Sequence, residues 1–513
     1  MKAERLSNSA LRPAACPRAS NDASGFYCFC QIIYDKLSQQ VLYAIGAQPR
    51  LYGLYYSMKR LLIFIISTLT FFLAAKAETS VFMPSDSLPA IGSDTAIVRF
   101  LESRFDVKFT GNNRVVLFSS GSEKFKDLFA AIRAARKSVH LEYFNFRNDS
   151  ISKELFKILS AKAAEGVEVR ALFDGFGNSS NNRPLRSRYL DSLKAKGIEI
   201  YNFDPLRFPY INHALHRDHR KIVVIDGMVA YTGGMNVADY YITGRPEFGS
   251  WHDLHARVEG DAVGELQAVF LGFWNRVTGQ NISGPQYYPG EKRAADYFPQ
   301  LTPDTTATAG RKQVGVVNRD PHSTPGIIHD TFLEAISTAR HSIRIINPYF
   351  TLCPHLKRAL KEAAARGVDV QVMVSEKSDI PITPRIVEYN VNKLMRAGVK
   401  VYFYQGGFHH SKIMMVDSIY SFIGSANLNS RSLSFDYECN LLIADAPTTH
   451  QLISLFNRDR DEHCYLLTPE LWKQLPKWKK FKGWFFHFLT PFVEAPKRRQ
   501  GIPGMIIIDR LYA

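Results

Sequence analysis

Cysteine is scarce in this 513-residue chain, which holds six, and their positions argue against a thiolate metal site. Cys28 and Cys30 are too close together for the hook of a zinc ribbon, while Cys353, Cys439 and Cys464 are far apart in the sequence. The odd number of cysteines in the body of the chain also argues against a disulfide framework. We therefore expect no metal and no other cofactor.

Acidic residues are also fewer than basic residues. The chain has 48 Asp and Glu against 64 Lys and Arg, which gives a formal net charge of +16. Such an excess of positive charge fits an anionic partner, namely phospholipid head groups, nucleic acid or phosphate esters. General solubility is the alternative interpretation, because net charge describes partners only loosely.

The longest apolar run near the start is too short for an ordinary membrane span. Residues 61–75 are uncharged, but 15 residues fall short of the roughly 20 that a spanning helix needs. A basic start at Lys59 and Arg60 and an A-x-A site at 75–77 complete the pattern of a signal peptide. We interpret 58–77 as a signal peptide or short membrane anchor and 1–57 as a doubtful N-terminal extension. The rest of the chain is then expected to be exported to the non-cytoplasmic side of a membrane.

The remainder of the sequence repeats itself. Residues 125–144 run parallel to 328–350: in each, an amphipathic helix leads into a β-branched run, and further helices and strands follow in the same order. Glycine follows the helical pattern at four equivalent places, where it predicts helix ends. The alternation of strands and helices predicts α/β lobes. The predicted divisions are a first lobe at 78–290, a linker at 291–320, a second lobe at 321–470 and a C-terminal tail at 471–513.

Each repeat ends in the same set of polar residues. In both, Lys follows His by two residues, Asp by seven and Asn by 17; the residues are His219, Lys221, Asp226 and Asn236 in the first repeat and His410, Lys412, Asp417 and Asn427 in the second. Since residues i and i+2 of a strand point the same way, His and Lys should project from one face. Two such units facing each other would form a phosphate site that needs no metal.

The residue types suggest their tasks. A neutral His can attack phosphorus while a protonated His donates to the departing alcohol. The lysines and asparagines would hold the phosphate oxygens. Asp253 and Glu438 are the candidate acids that orient the imidazoles. Asn429, Arg431 and Ser432 would either contact phosphate or close their loop. The odd offset of the two aspartates from His favours a structural role for them.

These motifs resemble the phospholipase D superfamily, whose signature is HxKxxxxD, and within it bacterial cardiolipin synthases. The extended similarities are GGMNVADYY at 233–241, WHDLHARVEGDAV at 251–263, NPYF at 347–350 and HSKIMMVDSIYSFIGSANLNSRSL at 410–433. The resemblance implies two fused α/β/α sandwich lobes with one active site at their interface. It also groups Asp226 and Asp417 with the catalytic residues, as members of the signature.

The implied reaction transfers a phosphatidyl group from one phosphatidylglycerol to another and releases glycerol. By the same resemblance His219 is the nucleophile and His410 the general acid and base. Typical relatives begin with two membrane-spanning helices, whereas this chain has one short apolar segment. That difference leaves the mode of membrane attachment open.

The C-terminal tail offers a second contact with a membrane. Residues 472–493 combine three tryptophans with five lysines and no acidic residue. Trp478, Phe481, Phe485 and Phe488 share one helical face. Basic and aromatic residues together suit an anionic membrane surface. The alternative is a terminal helix that packs on the second lobe.

Three other functions remain open at this point. A hydrolase would release the phosphatidyl group to water with the same motifs. A nuclease of the same fold would also suit the positive charge, but we expect a phospholipid substrate and no nucleic acid because of the resemblance, the export signal and the tail. A duplicated fold kept only for binding is disfavoured because all eight motif residues are intact.

Overall fold

The computed structural model describes residues 96–205, 216–288, 290, 294–381 and 383–494, and side chains only as far as residue 486. The predicted extension at 1–57 and the apolar segment at 58–77 lie outside these residues, as does the end of the tail. No helix within the described ranges is long and apolar enough to cross a membrane.

Fifteen strands form one sheet in the described part of the chain, and two short strands form a second. The strands are β1 (Phe109–Phe118), β2 (Ser138–Tyr143), β3 (Glu168–Asp174), β4 (Ile198–Phe203), β5 (Lys221–Ile225), β6 (Val229–Gly233), β7 (Trp251–His252), β8 (His255–Glu259), β9 (Lys312–Arg319), β10 (Ser342–Ile346), β11 (Asp369–Ser375), β12 (Lys400–Tyr404), β13 (Phe408–His409), β14 (Ile413–Val416), β15 (Tyr420–Gly424), β16 (Glu438–Ala444) and β17 (Cys464–Leu466).

The large sheet is arranged symmetrically about its central antiparallel pair, β1 and β9. Outward from β1 the order is β8, β6, β5, β2, β3 and β4, and outward from β9 it is β16, β15, β14, β10, β11 and β12, with β17 added at the edge. The same three strands are parallel in each half: β2, β3 and β4 in the first, β10, β11 and β12 in the second. The duplication predicted from the sequence is confirmed.

Helices connect and cover these strands. They are α1 (Ala96–Phe105), α2 (Gly121–Ala134), α3 (Ser150–Ala164), α4 (Gly175–Ser180), α5 (Ser187–Lys194), α6 (Tyr240–Thr243), α7 (Ala262–Thr278), α8 (Ala294–Tyr297), α9 (Ile327–Thr338), α10 (Pro354–Ala365), α11 (Thr383–Met395), α12 (Ser430–Ser434), α13 (Ala446–His463), α14 (Pro469–Gln474) and α15 (Lys477–Glu494), with one 3-10 turn at Pro285–Tyr287.

Side-chain caps and glycines set many of the helix ends. Ser120 caps α2 and Asp149 caps α3, because each side chain accepts a hydrogen bond from a backbone N–H of the first turn. The four predicted helix stops all have positive φ, between 84° and 91°, which only glycine adopts without strain; they are Gly166, Gly197, Gly367 and Gly398.

Both faces of the sheet are covered. In each half one face packs against the crossover helices, in a separate apolar core. The other face forms a third core that both halves share, and α7 and α13 supply Leu266, Leu452 and Phe456 to it. This arrangement is the predicted α/β/α sandwich, and the shared core fuses the two halves into one body.

Two elements differ from the predicted division of the chain. Strand β9 lies within the predicted linker at 291–320 and is mostly buried at the centre of the sheet. Helix α1 lies in the predicted first lobe, but Ile97, Val98 and Leu101 pack in the core of the second half. Each half therefore extends further than the internal repeat indicates.

The last helix, α15, packs on α11 at a point where two backbones come close together. A Cβ at Gly483 would lie 2.7 Å from the carbonyl oxygen of Arg385, so only glycine fits there. The opposite side of the helix exposes four aromatic side chains, between 42% and 60% accessible, which are Trp478, Phe481, Trp484 and Phe485. The two alternatives considered for the tail therefore do not exclude each other, because the same helix packs on the second half and exposes an aromatic surface.

The signature aspartates tie the hairpin of each half to the loop before the neighbouring strand. The carboxylate of Asp226 accepts hydrogen bonds from the backbone N–H groups of residues 136–138, at 2.8 to 2.9 Å. Asp417 does the same for residues 340–342, at 2.7 to 2.9 Å. Both have φ above +50°, a conformation that Asp tolerates better than most residues. This geometry corrects their grouping with the catalytic residues, because both oxygens of each carboxylate accept hydrogen bonds from the backbone.

We expect Asp226→Ala and Asp417→Ala to destabilise the protein, each by about 2 kcal/mol or more, because each leaves three backbone donors without their acceptor. Thermal and urea unfolding of the variants would measure the loss. Asp→Asn at the same positions keeps the turn but leaves only one good acceptor oxygen. Its free energy of unfolding should therefore lie between those of the unaltered protein and the alanine variant. Unfolding midpoints equal to those of the unaltered protein would contradict the structural role.

Candidate active site

Each motif histidine is fixed by backbone contacts with the opposite half of the molecule. The N–H of His219 donates to the carbonyl of Tyr437 (3.0 Å), and the N–H of His410 donates to that of His252 (2.6 Å). The small parallel pair of β7 and β13 extends the second contact. The residues that follow these two carbonyls in the chain are Glu438 and Asp253. The backbone pairing therefore brings each predicted acid next to the histidine of the other half.

The side chains complete two crossed pairs. The Nδ1 atom of His219 lies 3.1 and 3.2 Å from the two carboxylate oxygens of Glu438. The Nδ1 atom of His410 lies 2.7 Å from a carboxylate oxygen of Asp253. Both acids are buried, so each imidazole is oriented by a carboxylate that water does not reach. The sequence identified the two acids but gave no sign that they are exchanged between the halves.

The two pairs differ in how the carboxylate is held. Ser425 donates its hydroxyl to Glu438, and its carbonyl lies 3.1 Å from Nδ1 of His219. Gly234 takes the equivalent place in the first half, where a Cβ would approach Oδ1 of Asp253 to 2.1 Å. In the second half, the longer acid Glu438 accepts a hydroxyl from Ser425. In the first half, the shorter acid Asp253 lies against Gly234, which has no side chain.

The charges in the site shift the pKa values in different directions. Burial would raise the pKa of Glu438, but His219 and then Lys221 outweigh it and lower that pKa to about 2. Burial lowers the pKa of His410 to about 4, and the neighbouring Lys412 acts in the same direction while Asp253 opposes both. At pH 7 these shifts favour an ionised Glu438 and a neutral His410.

The two motif lysines are buried next to the histidines. Each Nζ donates to the carbonyl of its own histidine, and that of Lys412 also lies 3.1 and 3.2 Å from the ring nitrogens of His410. Burial lowers the pKa of Lys221 to about 7 and that of Lys412 to about 8, with Glu438 acting against it in both. A bound anion would favour the charged form of both lysines.

One cavity of about 680 Å³ joins the two halves of the site. His219, His410, Asn236 and Asn427 all line it. The side-chain oxygens of both asparagines are buried and have no hydrogen-bond partner among the described residues. Buried polar groups are normally paired, so these amides are suited to a polar ligand in the cavity.

The cavity also contains residues that the sequence left undecided or did not reveal. Asn429, Arg431 and Ser432 line it. Asn429 caps α12 as well, which closes the loop. Residues that sequence reasoning missed are Arg147, Arg183, Arg245, Tyr240, Trp251, Tyr349 and Asp379. No repeated spacing marks them, although Tyr240, Trp251 and Tyr349 lie within the motifs GGMNVADYY, WHDLHARVEGDAV and NPYF. His216 does not line the cavity and lies 2.9 Å from the carbonyl of Phe435.

Comparison with known proteins agrees with this geometry. The sequence model of a family described as "Cardiolipin synthase, PLD-like domain" matches residues 128–274 and 332–460, one match in each half. The cardiolipin synthase of Halalkalibacterium halodurans is 35% identical over 384 residues, which cover 75% of this chain and 71% of that protein. Cardiolipin synthase 2 of Staphylococcus epidermidis is 36% identical over 386 residues, with 75% of each chain covered.

A solved structure supports the fold. The phosphatidylserine synthase of Haemophilus influenzae matches with a TM-score of 0.58 at 13% identity, over 78% of this chain and 98% of that one. At this identity the likeness shows the architecture alone. The sequence matches carry the classification: the chain belongs to the phospholipase D superfamily and, within it, to the cardiolipin synthase family of phosphatidyltransferases.

Proposed function

We propose that this protein transfers a phosphatidyl group from one phosphatidylglycerol to a second, forming cardiolipin and releasing glycerol. The observation that carries the proposal is the pair of imidazoles on one cavity, each hydrogen-bonded to a carboxylate of the other half. The names of the relatives supply the substrate class.

In the first step His219 attacks phosphorus. Its Nδ1 lies against the carboxylate of Glu438 and the carbonyl of Ser425, all of them acceptors, so the ring proton belongs on Nδ1. Nε2 then has a lone pair for the attack. The new P–N bond forms as the bond from phosphorus to the glycerol oxygen breaks, and that oxygen takes a proton from His410.

In the second step the acceptor alcohol reverses this sequence. Its hydroxyl gives a proton to His410 and attacks phosphorus, and the P–N bond to His219 breaks. One phosphodiester replaces another, so no nucleotide is consumed. The protein groups around His410 hold its pKa low, and a bound phosphodiester anion would raise it, because a negative charge stabilises the protonated ring.

Lys221, Lys412, Asn236 and Asn427 would stabilise the phosphate oxygens. The lysines are already buried next to the histidines, and both asparagines line the cavity, where their amide N–H groups would donate. Donors that are fixed before the substrate binds need no reorganisation during the reaction. This polar environment is the reason we assign the site to a phosphodiester and not to an uncharged ester.

The full-length protein, mixed with micelles of phosphatidylglycerol, is expected to yield cardiolipin and glycerol in equal amounts. His219→Ala should reduce the rate by roughly 10³-fold or more, since it removes the attacking group. His216→Ala is the matched control and should keep the rate, because His216 lies outside the cavity. Chromatography of the lipids and an assay of free glycerol measure both products. Phosphatidic acid as the sole lipid product would support a hydrolase instead.

We also propose that the exposed aromatic residues of α15 and the lysines among them bind an anionic bilayer. Trp478, Phe481, Trp484 and Phe485 are exposed, as are Lys477 and Lys482. The same helix packs on α11, whose residues Thr383 and Ile386 line the cavity. Lipid bound to α15 would therefore lie next to a helix that forms one wall of the site. From the signal-peptide or anchor pattern at 58–77 we propose that this surface lies on the non-cytoplasmic side of the bacterial cell envelope.

Replacement of the four aromatic residues of α15 by serine should weaken binding to phosphatidylglycerol vesicles by roughly tenfold or more, because it removes most of the apolar area available to the bilayer. Vesicle sedimentation with the full chain measures the partition. Tyr201→Ser, at another exposed aromatic residue, is the control. Activity on short-chain substrate below its micelle concentration should be retained. Unchanged partition of the fourfold variant would contradict the role of α15.

A further inference from the structure

One acidic side chain in the cavity has no evident part in binding phosphate. Asp379 lines the cavity and is half-buried. No Lys or Arg of the described residues forms an ion pair with it. A carboxylate in a site built for an anion opposes binding unless it interacts with another part of the substrate.

Three of the four other carboxylates on the cavity wall are already engaged. Asp149 and Asp239 accept backbone N–H groups at the start of α3, and Asp436 pairs with Arg431 at 3.0 Å. Glu247 is exposed at the rim. Asp379 differs because its Oδ1 accepts the hydroxyl of Tyr349 at 2.7 Å, while Oδ2 receives no hydrogen bond from the described part of the chain.

Asp379 is on the side of the cavity that belongs to His410. The ring of Tyr349, its partner, contacts the ring of His410 edge to face at a centroid distance of 5.8 Å. Burial lowers the pKa of both His410 and Lys412, and the charge of Asp379 acts against that shift in both, so its carboxylate is within electrostatic reach of them. The phenol of Tyr349 keeps its proton, since burial and then Asp379 raise its pKa well above 10.

The first half has no equivalent carboxylate on the cavity wall. Asp379 follows strand β11, and the corresponding loop after β3 presents Ser180, Asn181 and Asn182 to the cavity. Asp174, at the end of β3, is buried and caps α4. The two sides of the cavity therefore differ: on the side of His410, Asp379 has a carboxylate oxygen without a hydrogen-bond partner among the described residues, whereas Asp436, which lies near His219, is paired with Arg431.

We propose that Asp379 binds a hydroxyl of the alcohol that leaves or enters at His410, and so selects alcohols with two adjacent hydroxyl groups. This inference rests on the proposed function. In the glycerol group of phosphatidylglycerol, the carbon that bears the reacting oxygen is bonded to a carbon that carries a second hydroxyl. When the reacting oxygen exchanges its proton with His410, the neighbouring hydroxyl donates to Oδ2 of Asp379. Tyr349 holds the carboxylate in place through Oδ1.

The test compares two acceptors that differ by one hydroxyl, 1,2-propanediol and 1-propanol, with phosphatidylglycerol as donor and the full-length protein. The unaltered protein should prefer the diol by roughly tenfold, as expected for a hydrogen bond to a charged acceptor. Asp379→Ala should abolish the preference, measured as the ratio of the two products. Transfer to both alcohols should also fall, and more for the diol, because the leaving glycerol of the donor loses the same hydrogen bond. Asp379→Asn should be intermediate, since its amide oxygen is a weaker acceptor. Glu247→Gln alters another carboxylate of the same cavity and should behave as the unaltered protein.

A diol preference that survives in Asp379→Ala would overturn the inference. Equal loss with both alcohols would overturn it too, because it would make Asp379 a structural residue. If the unaltered protein transfers to neither alcohol and only releases phosphatidic acid, the proposed transferase function fails. In that case the role of Asp379 is tested with the leaving alcohol. The rate of hydrolysis of phosphatidylglycerol should exceed that of phosphatidylpropanol roughly tenfold, and Asp379→Ala should remove the difference.

Discussion

The site depends on an exchange of carboxylates between the two halves of the chain. Glu438 of the second half orients His219 of the first, and Asp253 of the first orients His410 of the second. The backbone enforces the exchange, because each histidine N–H is bonded to the carbonyl directly before the opposite acid. The central pairing of β1 with β9 and the core shared by both halves hold these contacts in register. Neither half has an oriented imidazole by itself.

A second consequence is electrostatic. The imidazole of His410, the amino groups of two lysines and two carboxylates are buried together, with the partly exposed ring of His219 beside them, so the charge of each group affects the others. Burial lowers the pKa of Lys221 to about 7 and of Lys412 to about 8, and that of His410 to about 4. At pH 7 these shifts leave the site with less positive charge than its residue types suggest. A phosphodiester supplies the negative charge that would restore it, so substrate binding and protonation of the site are linked.

The sequence predicted the parts of this structure that are encoded twice. The internal repeat predicted the duplicated sheet, and the four glycines predicted the helix ends. The odd offset of Asp226 and Asp417 from the histidines favoured their structural role more accurately than the family signature did. These features rely on local periodicity or on fixed spacing, which a sequence contains directly.

The rest could not be predicted because it depends on tertiary contacts. Which acid serves which histidine follows from backbone pairing between residues some 160 to 220 positions apart. Strand β9 lies in a stretch without a long apolar run, so the hydrophobic pattern did not indicate a strand there. Asp379 and Tyr349 meet only through folding and have no counterpart that would mark them in the repeat. Single residues on loops carry no pattern, although they give the two sides of the cavity their different chemistry.

The crossed pairing can be observed by proton NMR without any substrate. A ring Nδ1–H that is hydrogen-bonded to a buried carboxylate gives a resolved downfield signal, and His219→Ala and His410→Ala assign the two signals. The account predicts that Glu438→Gln perturbs the signal of His219 and that Asp253→Asn perturbs the signal of His410. It would be contradicted if Glu438→Gln perturbed only the signal of His410, since each half would then orient its own histidine.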